Sequence, residues 1–373
     1  MMREVLDSHV RAGTLPGAVG MVARGDRVEV AAVGSATLGG PAMAEDSIFR
    51  IASITKAITA AALLTLIDEG RLRLDDPVRE WLPELANPVV VRTPSAPVDD
   101  VVPANRPITV FDLLSGQAGF GFASDLSLPA VQRLFAVQRD GREVQSFPPP
   151  DEWMAELARV PLLYQPGESW LYDTCSAVQG VLIARVSGMS LPAFVASRLL
   201  EPLGMADSGY VVPAASLDRF TAYYRTDLTL ADPPTGQWST MPAFPLGSGG
   251  MVGTVRDYLA FCRVLLSGGV APSGRRLLSG SSVRLMTTDH TTAAHREIGA
   301  LFLEGQGWGF GGAVDIAPVE PWHVPGRYGW VGGTGTTAHI VPSTGTVTIL
   351  LAQVATEDPV PPKWMRDFWR HAA

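Results

Sequence analysis

The sequence predicts an α+β fold: one antiparallel sheet built from both ends of the chain, flanked by helices, with a mainly helical segment inserted between them. Three observations predict it. Two short apolar runs flank a hairpin turn near the N-terminus. Apolar residues alternate with glycine turns from Gly305 onward. The intervening apolar residues recur at helical spacing. The expected partition is 1–50 plus 295–373 for the sheet domain and 51–294 for the helical insertion.

The elements follow in order. Met1 to Ala12 reads as a helix. Ala18 to Arg24 and Val28 to Val33 read as strands joined through Arg24-Gly25-Asp26. Ile51 to Gly70 is the clearest helix, with Ile54, Ile58, Ala61, Leu64 and Ile67 on one stripe and Gly70 as its C-cap. Ala86 to Pro107 is rich in proline and valine and reads as an irregular loop. A second polar, proline-bearing loop runs from Asp140 to Pro150, and loops of such length build sites or lids. Helices are expected at Val110–Leu114, Asp151–Ala158, Cys175–Val186, Leu191–Leu199 and Val255–Leu266. Strands are expected within Gly305–Gly312, Gly326–Gly335 and His339–Val354, and a closing helix over Trp364–His371.

The chain has 373 residues, 46% hydrophobic and 18% charged, enough for a large packed core. Its 29 basic and 37 acidic residues give a net charge of −8, which argues against a nucleic-acid partner. Two cysteines far apart, Cys175 and Cys262, provide neither a disulfide framework nor a multi-cysteine zinc site. The longest apolar run, Ala57 to Ile67, is too short to span a bilayer, and no signal peptide is legible, so a cytoplasmic protein without a membrane partner is expected. Lysine occurs only at Lys56 and Lys363; the other 27 basic residues are arginine. A chain nearly free of lysine that keeps one inside its most apolar helix draws attention to it, because lysine, unlike arginine, can lose its proton when buried.

Ser53-Ile54-Thr55-Lys56 sets a hydroxyl and an amine three residues apart, on one helical face. Serine becomes a good nucleophile only when a base takes its proton. A lysine desolvated by Ile54, Ala57 and Ala60 either is that base or tunes another. Unpaired N–H groups at a helix start suit an oxyanion. Tyr172-Asp173-Thr174 follows a Pro166-Gly167 turn and precedes a helix. Tyr328-Gly329-Trp330-Val331-Gly332-Gly333-Thr334-Gly335 is a glycine-rich turn beside a strand.

These three motifs, in this order, resemble the penicillin-recognising serine hydrolases, most closely the class C β-lactamase relatives that include family VIII carboxylesterases and related acyltransferases. Phe49 to Lys56 matches the first motif, Tyr172-Asp173-Thr174 sits where the family has Tyr-x-Asn, and Trp330-Val331-Gly332 sits at the third, Trp-x-Gly in esterases. Leu113–Gly116, Glu201–Met205 and Gly249–Tyr258 also match, so the resemblance covers almost the whole chain. It implies the β-lactamase/transpeptidase-like fold and a serine hydrolase acting through an acyl-Ser53 intermediate. It assigns Ser53 as nucleophile, Lys56 and Tyr172 as a coupled proton relay, and the backbone N–H groups of Ser53 and Gly333 as oxyanion hole. Trp330, Gly332, Thr174, Phe120 and His323 are expected at the substrate, with Phe122 as further apolar cover. No metal or cofactor is expected.

Two departures steer the substrate. Trp330 stands where a cation would hold a carboxylate, and Thr174 replaces an asparagine. Both favour a carboxylesterase on small neutral esters. The alternatives are an acyltransferase with an alcohol or amine acceptor, a D-amino-acid peptidase or β-lactamase, and a catalytically weak ligand-binding homologue. Gly307-x-Gly309-x-x-Gly312 fits a dinucleotide loop but precedes no helix and reads as a sheet turn. His290 and His295 are expected in solvent.

Overall fold

The computed structural model describes all residues from Met1 to Ala373. The strands are β1 (Gly17–Arg24), β2 (Arg27–Gly34), β3 (Gly307–Trp308), β4 (Ala313–Val314), β5 (Tyr328–Gly332), β6 (Thr336–Val341) and β7 (Thr346–Ala352). They form one antiparallel sheet in the order β2-β1-β7-β6-β5-β4-β3. The N-terminal hairpin turns at Gly25, where φ is +59°. Its β1 then pairs with β7 from Ala18↔Ala352 to Arg24↔Thr346, which joins the two chain ends. The glycine pattern at 307–312 forms β3, a tight turn and β4, as the sheet-turn reading expects.

The longer helices include α1 (Met2–Arg11), α2 (Thr55–Asp68), α3 (Thr174–Ser187), α4 (Val255–Leu266) and α5 (Lys363–Ala372). Helices α1 and α5 pack on each other and on β1, β2 and β7, burying Met2, Leu6, Leu350, Met365 and Phe368. Helix α4 lies against β1, β6 and β7, although it falls within the 51–294 segment. With neighbours on both faces, β1 is buried from Gly17 to Ala23 and reads as a continuous apolar run without alternation. A single large core cluster joins Val19 and Met21 of β1 to Leu63 and Leu66 of α2 and to Phe194 in the insertion.

Helix α2 differs from the expected one-striped helix. It is buried all round, from Thr55 to Leu66, as a central helix must be when every face is apolar. Ile67 is only half-buried, and Gly70 follows the C-cap Glu69 with φ +70°. The Ala86–Pro107 stretch is not wholly irregular: Val89–Val91 pairs with Val101–Pro103 in a small hairpin. The Asp140–Pro150 loop carries one 3-10 turn at Val144–Ser146. A helix at Pro129–Gln138, which the sequence reading did not anticipate, leads into that loop. No single helix is long and apolar enough to cross a membrane.

Candidate active site

Ser53 occupies a one-turn 3-10 segment, Ala52–Ile54, that runs into α2. Hydrogen bonds from the sheet hold this turn. Thr334 Oγ1 donates to the Arg50 carbonyl at 2.6 Å and Thr336 Oγ1 to the Ile51 carbonyl at 2.9 Å. Arg50 is anchored in turn. Its buried guanidinium donates to Asp232 Oδ2 from Nε at 2.9 Å and to the Thr221 carbonyl at 2.6 Å, and lies 4.1 Å from the centre of the Phe220 ring. A Cβ on Gly332 would stand 2.2 Å from Thr336 Oγ1 and 2.7 Å from the Ile51 carbonyl oxygen, so only glycine lets β5 approach the Ser53 turn this closely. Gly332 therefore shapes the site from behind and does not line the cleft.

Lys56, one turn after Ser53, is fully buried. Its ammonium has three donors and three acceptors: Ser53 Oγ at 2.9 Å, the Ser248 carbonyl at 2.6 Å and Asp173 Oδ1 at 2.5 Å. Burial alone would pull the amine down. The Asp173 carboxylate and Tyr172 outweigh it, and Lys56 is held above its ordinary value, as an ammonium.

Tyr172 precedes α3. Its backbone is clamped by a two-way bridge to Phe122, N–H to O at 2.9 and 3.0 Å. The phenolic oxygen accepts from Trp330 Nε1 at 2.8 Å. The ring stacks on Phe302 with centroids 4.7 Å apart, and the Lys56 nitrogen lies 4.9 Å from its centre. Asp173 next to it is the N-cap of α3 with φ +78°, and Ala52 next to Ser53 has φ +44°. Backbone conformations this unfavourable for residues other than glycine persist where surrounding structure imposes them, commonly at functional sites.

A cleft of about 300 Å³ opens over these groups, lined by Ser53, Tyr172, Asp173, Trp330, Gly333 and Phe302 among others. The backbone N–H groups of Ser53 and Gly333 border it and take no part in the turn and loop hydrogen bonds. Two arginines reach the cleft, and both are paired: Arg50 with Asp232, and Arg142 with Asp140 through Nη2 at 2.8 Å. Asp140, Gly141 and Arg142 belong to the loop expected to build a site or lid.

The geometry corrects several sequence expectations. Thr174 does not reach Lys56; its hydroxyl is buried without a partner, and the preceding Asp173 makes the contact. Phe120 is a core residue below the cleft, and Phe122 braces the Tyr172 backbone while its ring packs on Phe135. His323 lines a neighbouring cavity of about 230 Å³ that shares Phe302, Trp330 and Val331 with the cleft. His290 stacks on Phe310 and His295 is buried, so neither lies in solvent. The sequence reading missed Asp173 and Phe302 as site residues. A buried lysine that keeps its charge requires an anion, and Asp173 is the one carboxylate within the three motifs; nothing local marks Phe302.

A serine and lysine one turn apart beside a tyrosine, on a sheet joined from both chain ends, define a serine hydrolase of β-lactamase/transpeptidase-like fold. Comparison with known proteins agrees: residues 2–368 match the family described as Beta-lactamase, and the chain belongs to that family. Protein Rv1367c of Mycobacterium tuberculosis is 37% identical over 371 residues, 94% of this chain and 88% of that one. Esterase EstB of Burkholderia gladioli is 30% identical over 382 residues, 95% and 90% of the two chains. The solved structure of EstCE1, described as a hydrolase with promiscuous acyltransferase activity, has a TM-score of 0.83 at 23% identity and covers 100% of this chain and 97% of its own.

Proposed function

We propose that this enzyme is a carboxylesterase that cleaves small neutral esters through an acyl-Ser53 intermediate. The observation that carries the reading is the Trp330 indole N–H on the Tyr172 oxygen. Where a carboxylate-binding cation would stand, there is a neutral donor aimed at the base, and both arginines of the cleft already have carboxylate partners. The likeness to Esterase EstB over nearly the full chain supports the same substrate class.

The steps follow from the contacts. Ser53 Oγ accepts from the Lys56 ammonium, so its own proton is free to leave in another direction. Tyr172 takes that proton as a phenolate. The negative oxygen is stabilised by the Trp330 N–H and the nearby Lys56 charge. Ser53 attacks the ester carbonyl, and the oxyanion that forms meets the Ser53 and Gly333 amides. Tyr172 then protonates the departing alkoxide, and a water activated by the same oxygen releases the acid. In this reading Lys56 keeps its proton throughout as a fixed positive charge, a departure from the proton relay expected from the sequence, because Asp173 and Tyr172 hold it as an ammonium.

A second reading, transfer of the acyl group to an alcohol or amine, is favoured by the apolar cover from Phe302, Trp330, Pro361 and Met365, which lowers the share of water in the cleft. The cytoplasm is the proposed location, supported by two free, buried cysteines. The test is a fluorophosphonate label and p-nitrophenyl ester turnover on the parent and on Ser53→Ala. The variant is expected to lose the label, the acyl-enzyme burst and nearly all turnover. Turnover within tenfold of the parent refutes the assignment. Product analysis with added alcohols and amines decides the second reading, which is dropped if only free acid forms.

A further inference from the structure

Asp173 has two carboxylate oxygens, and only one meets Lys56. Oδ1 faces Lys56; Oδ2 accepts from Gln138 Nε2 at 2.6 Å. Gln138 is the last residue of the Pro129–Gln138 helix and is 4% exposed. Its other amide atom, Oε1, is buried with no hydrogen-bond partner. Leaving a buried amide oxygen unpaired is costly. The compensating contact of this side chain is its donation to Asp173. The next residue, Arg139, has φ +50° and begins the loop that carries Asp140, Gly141 and Arg142 to the cleft.

We infer that Gln138 is a positioning residue: its amide orients the Asp173 carboxylate so that Oδ1 holds the Lys56 ammonium against Ser53. The inference rests on the esterase reading. Gln138 touches neither Lys56 nor Ser53 and acts only through Asp173. A carboxylate fixed by one donor on each oxygen cannot rotate away from the lysine. Without the amide, Oδ2 turns toward the cleft and its water, and the contact to Lys56 loosens. The charged and titratable groups around this carboxylate are Lys56 and Tyr172 at the site, the Asp140–Arg142 and Arg50–Asp232 pairs along the cleft, and Cys175 on α3.

The pH profile of kcat/KM for a p-nitrophenyl ester tests this on the whole enzyme, with Gln138→Met and Gln138→Glu. Met keeps the length and removes the donor. The acid limb should then move to higher pH, by about one unit, and kcat should fall about tenfold with KM within twofold. Glu is nearly isosteric. Beside Asp173 it retains its proton at acid and neutral pH and donates as the amide does; once it ionises, two carboxylates face each other. This variant should keep parental activity at low pH and lose it as pH rises, the opposite direction from Gln138→Met. Melting temperatures confirm that each variant is folded at the pH of assay, and Gln138→Glu carries the test if the Met variant does not fold. A uniform loss of activity at every pH, or no loss, in a folded variant overturns the inference. Fluorophosphonate labelling of the parent separates the two levels: if parental Ser53 does not label, the esterase reading fails; if it labels and the limbs do not move, only the role of Gln138 fails.

Discussion

Replacing Asp173 with asparagine removes one negative charge and preserves the shape. In the parent, Lys56 has three acceptors, of which only Asp173 is charged. Removing one member of a buried ion pair costs about 3–5 kcal/mol. The Asp173 side chain is 19% exposed, which places the cost at the lower end. For a chain of 373 residues the unfolding entropy is about 0.8 kcal/mol per kelvin, so ~3 kcal/mol corresponds to a fall in melting temperature of about 4 °C. The lost charge-assisted hydrogen bond, ~1.5–3 kcal/mol, should lower kcat roughly ten- to a hundredfold. The pH dependence also shifts. In the parent Lys56 is raised above 10.5, so its stabilisation is complete below that value and is lost as pH rises through the higher folded value. In Asp173→Asn the burial that pulls the amine down loses its main opponent. The folded value then falls while Tyr172 still opposes burial, so the stabilisation is lost at a lower pH than in the parent. Calorimetry between pH 7 and 10.5, together with ester kinetics, reads both effects. A variant with the parental melting temperature, kcat and pH slope would refute the placement of Lys56 as a carboxylate-held ammonium.

Trp330→Phe keeps an aromatic wall and deletes the donor to Tyr172; kcat for a p-nitrophenyl ester should fall about five- to a hundredfold, from a hydrogen bond worth ~1–3 kcal/mol, and an unchanged kcat would contradict its role at the base. Gly332→Ala puts a methyl 2.2 Å from Thr336 Oγ1 and 2.7 Å from the Ile51 carbonyl, so the Ser53 turn must shift away from Gly333; kcat should drop at least about tenfold with little change in KM, and retained kcat would show that this approach is not needed. Nitrocefin should be hydrolysed roughly ten- to a hundredfold less efficiently than a simple ester, because no unpaired cation faces its carboxylate; comparable kcat/KM values would contradict the neutral-ester reading.

Much of the fold is legible because it follows from local rules. The hairpin turn at Gly25, the periodicity of residues 255–266 and the glycine-spaced strands near the C-terminus all mark elements that form where expected. The Pro129–Gln138 helix escapes because its composition is mixed and its only start signal is Pro129. The site divides in the same way. Ser53 and Lys56 are set by helical pitch, and Tyr172 by its place before a helix. Asp173 lies inside a recognised motif but is missed, because a three-residue motif does not say which residue turns inward; the left-handed backbone at Asp173 decides that. Phe302 comes from a short helix, Ala300–Leu303, and its meeting with Tyr172 depends on tertiary packing alone. Thr174, Phe120 and His323 fail for the converse reason: proximity in sequence to a motif does not aim a side chain into a cleft.

The scarcity of lysine has a practical consequence. Lys363, at the start of α5, is 82% exposed, and Lys56 is 1% exposed. Amine-directed reagents applied to the native enzyme therefore reach Lys363, while Lys56 is shielded. Lys363 belongs to the helical layer of α1 and α5, so coupling to a lysine-reactive support tethers the molecule by that layer. Acylation of Lys56 requires the core around α2 to open, which makes a second modified lysine in a mass spectrum a direct count of molecules that have unfolded around the nucleophile.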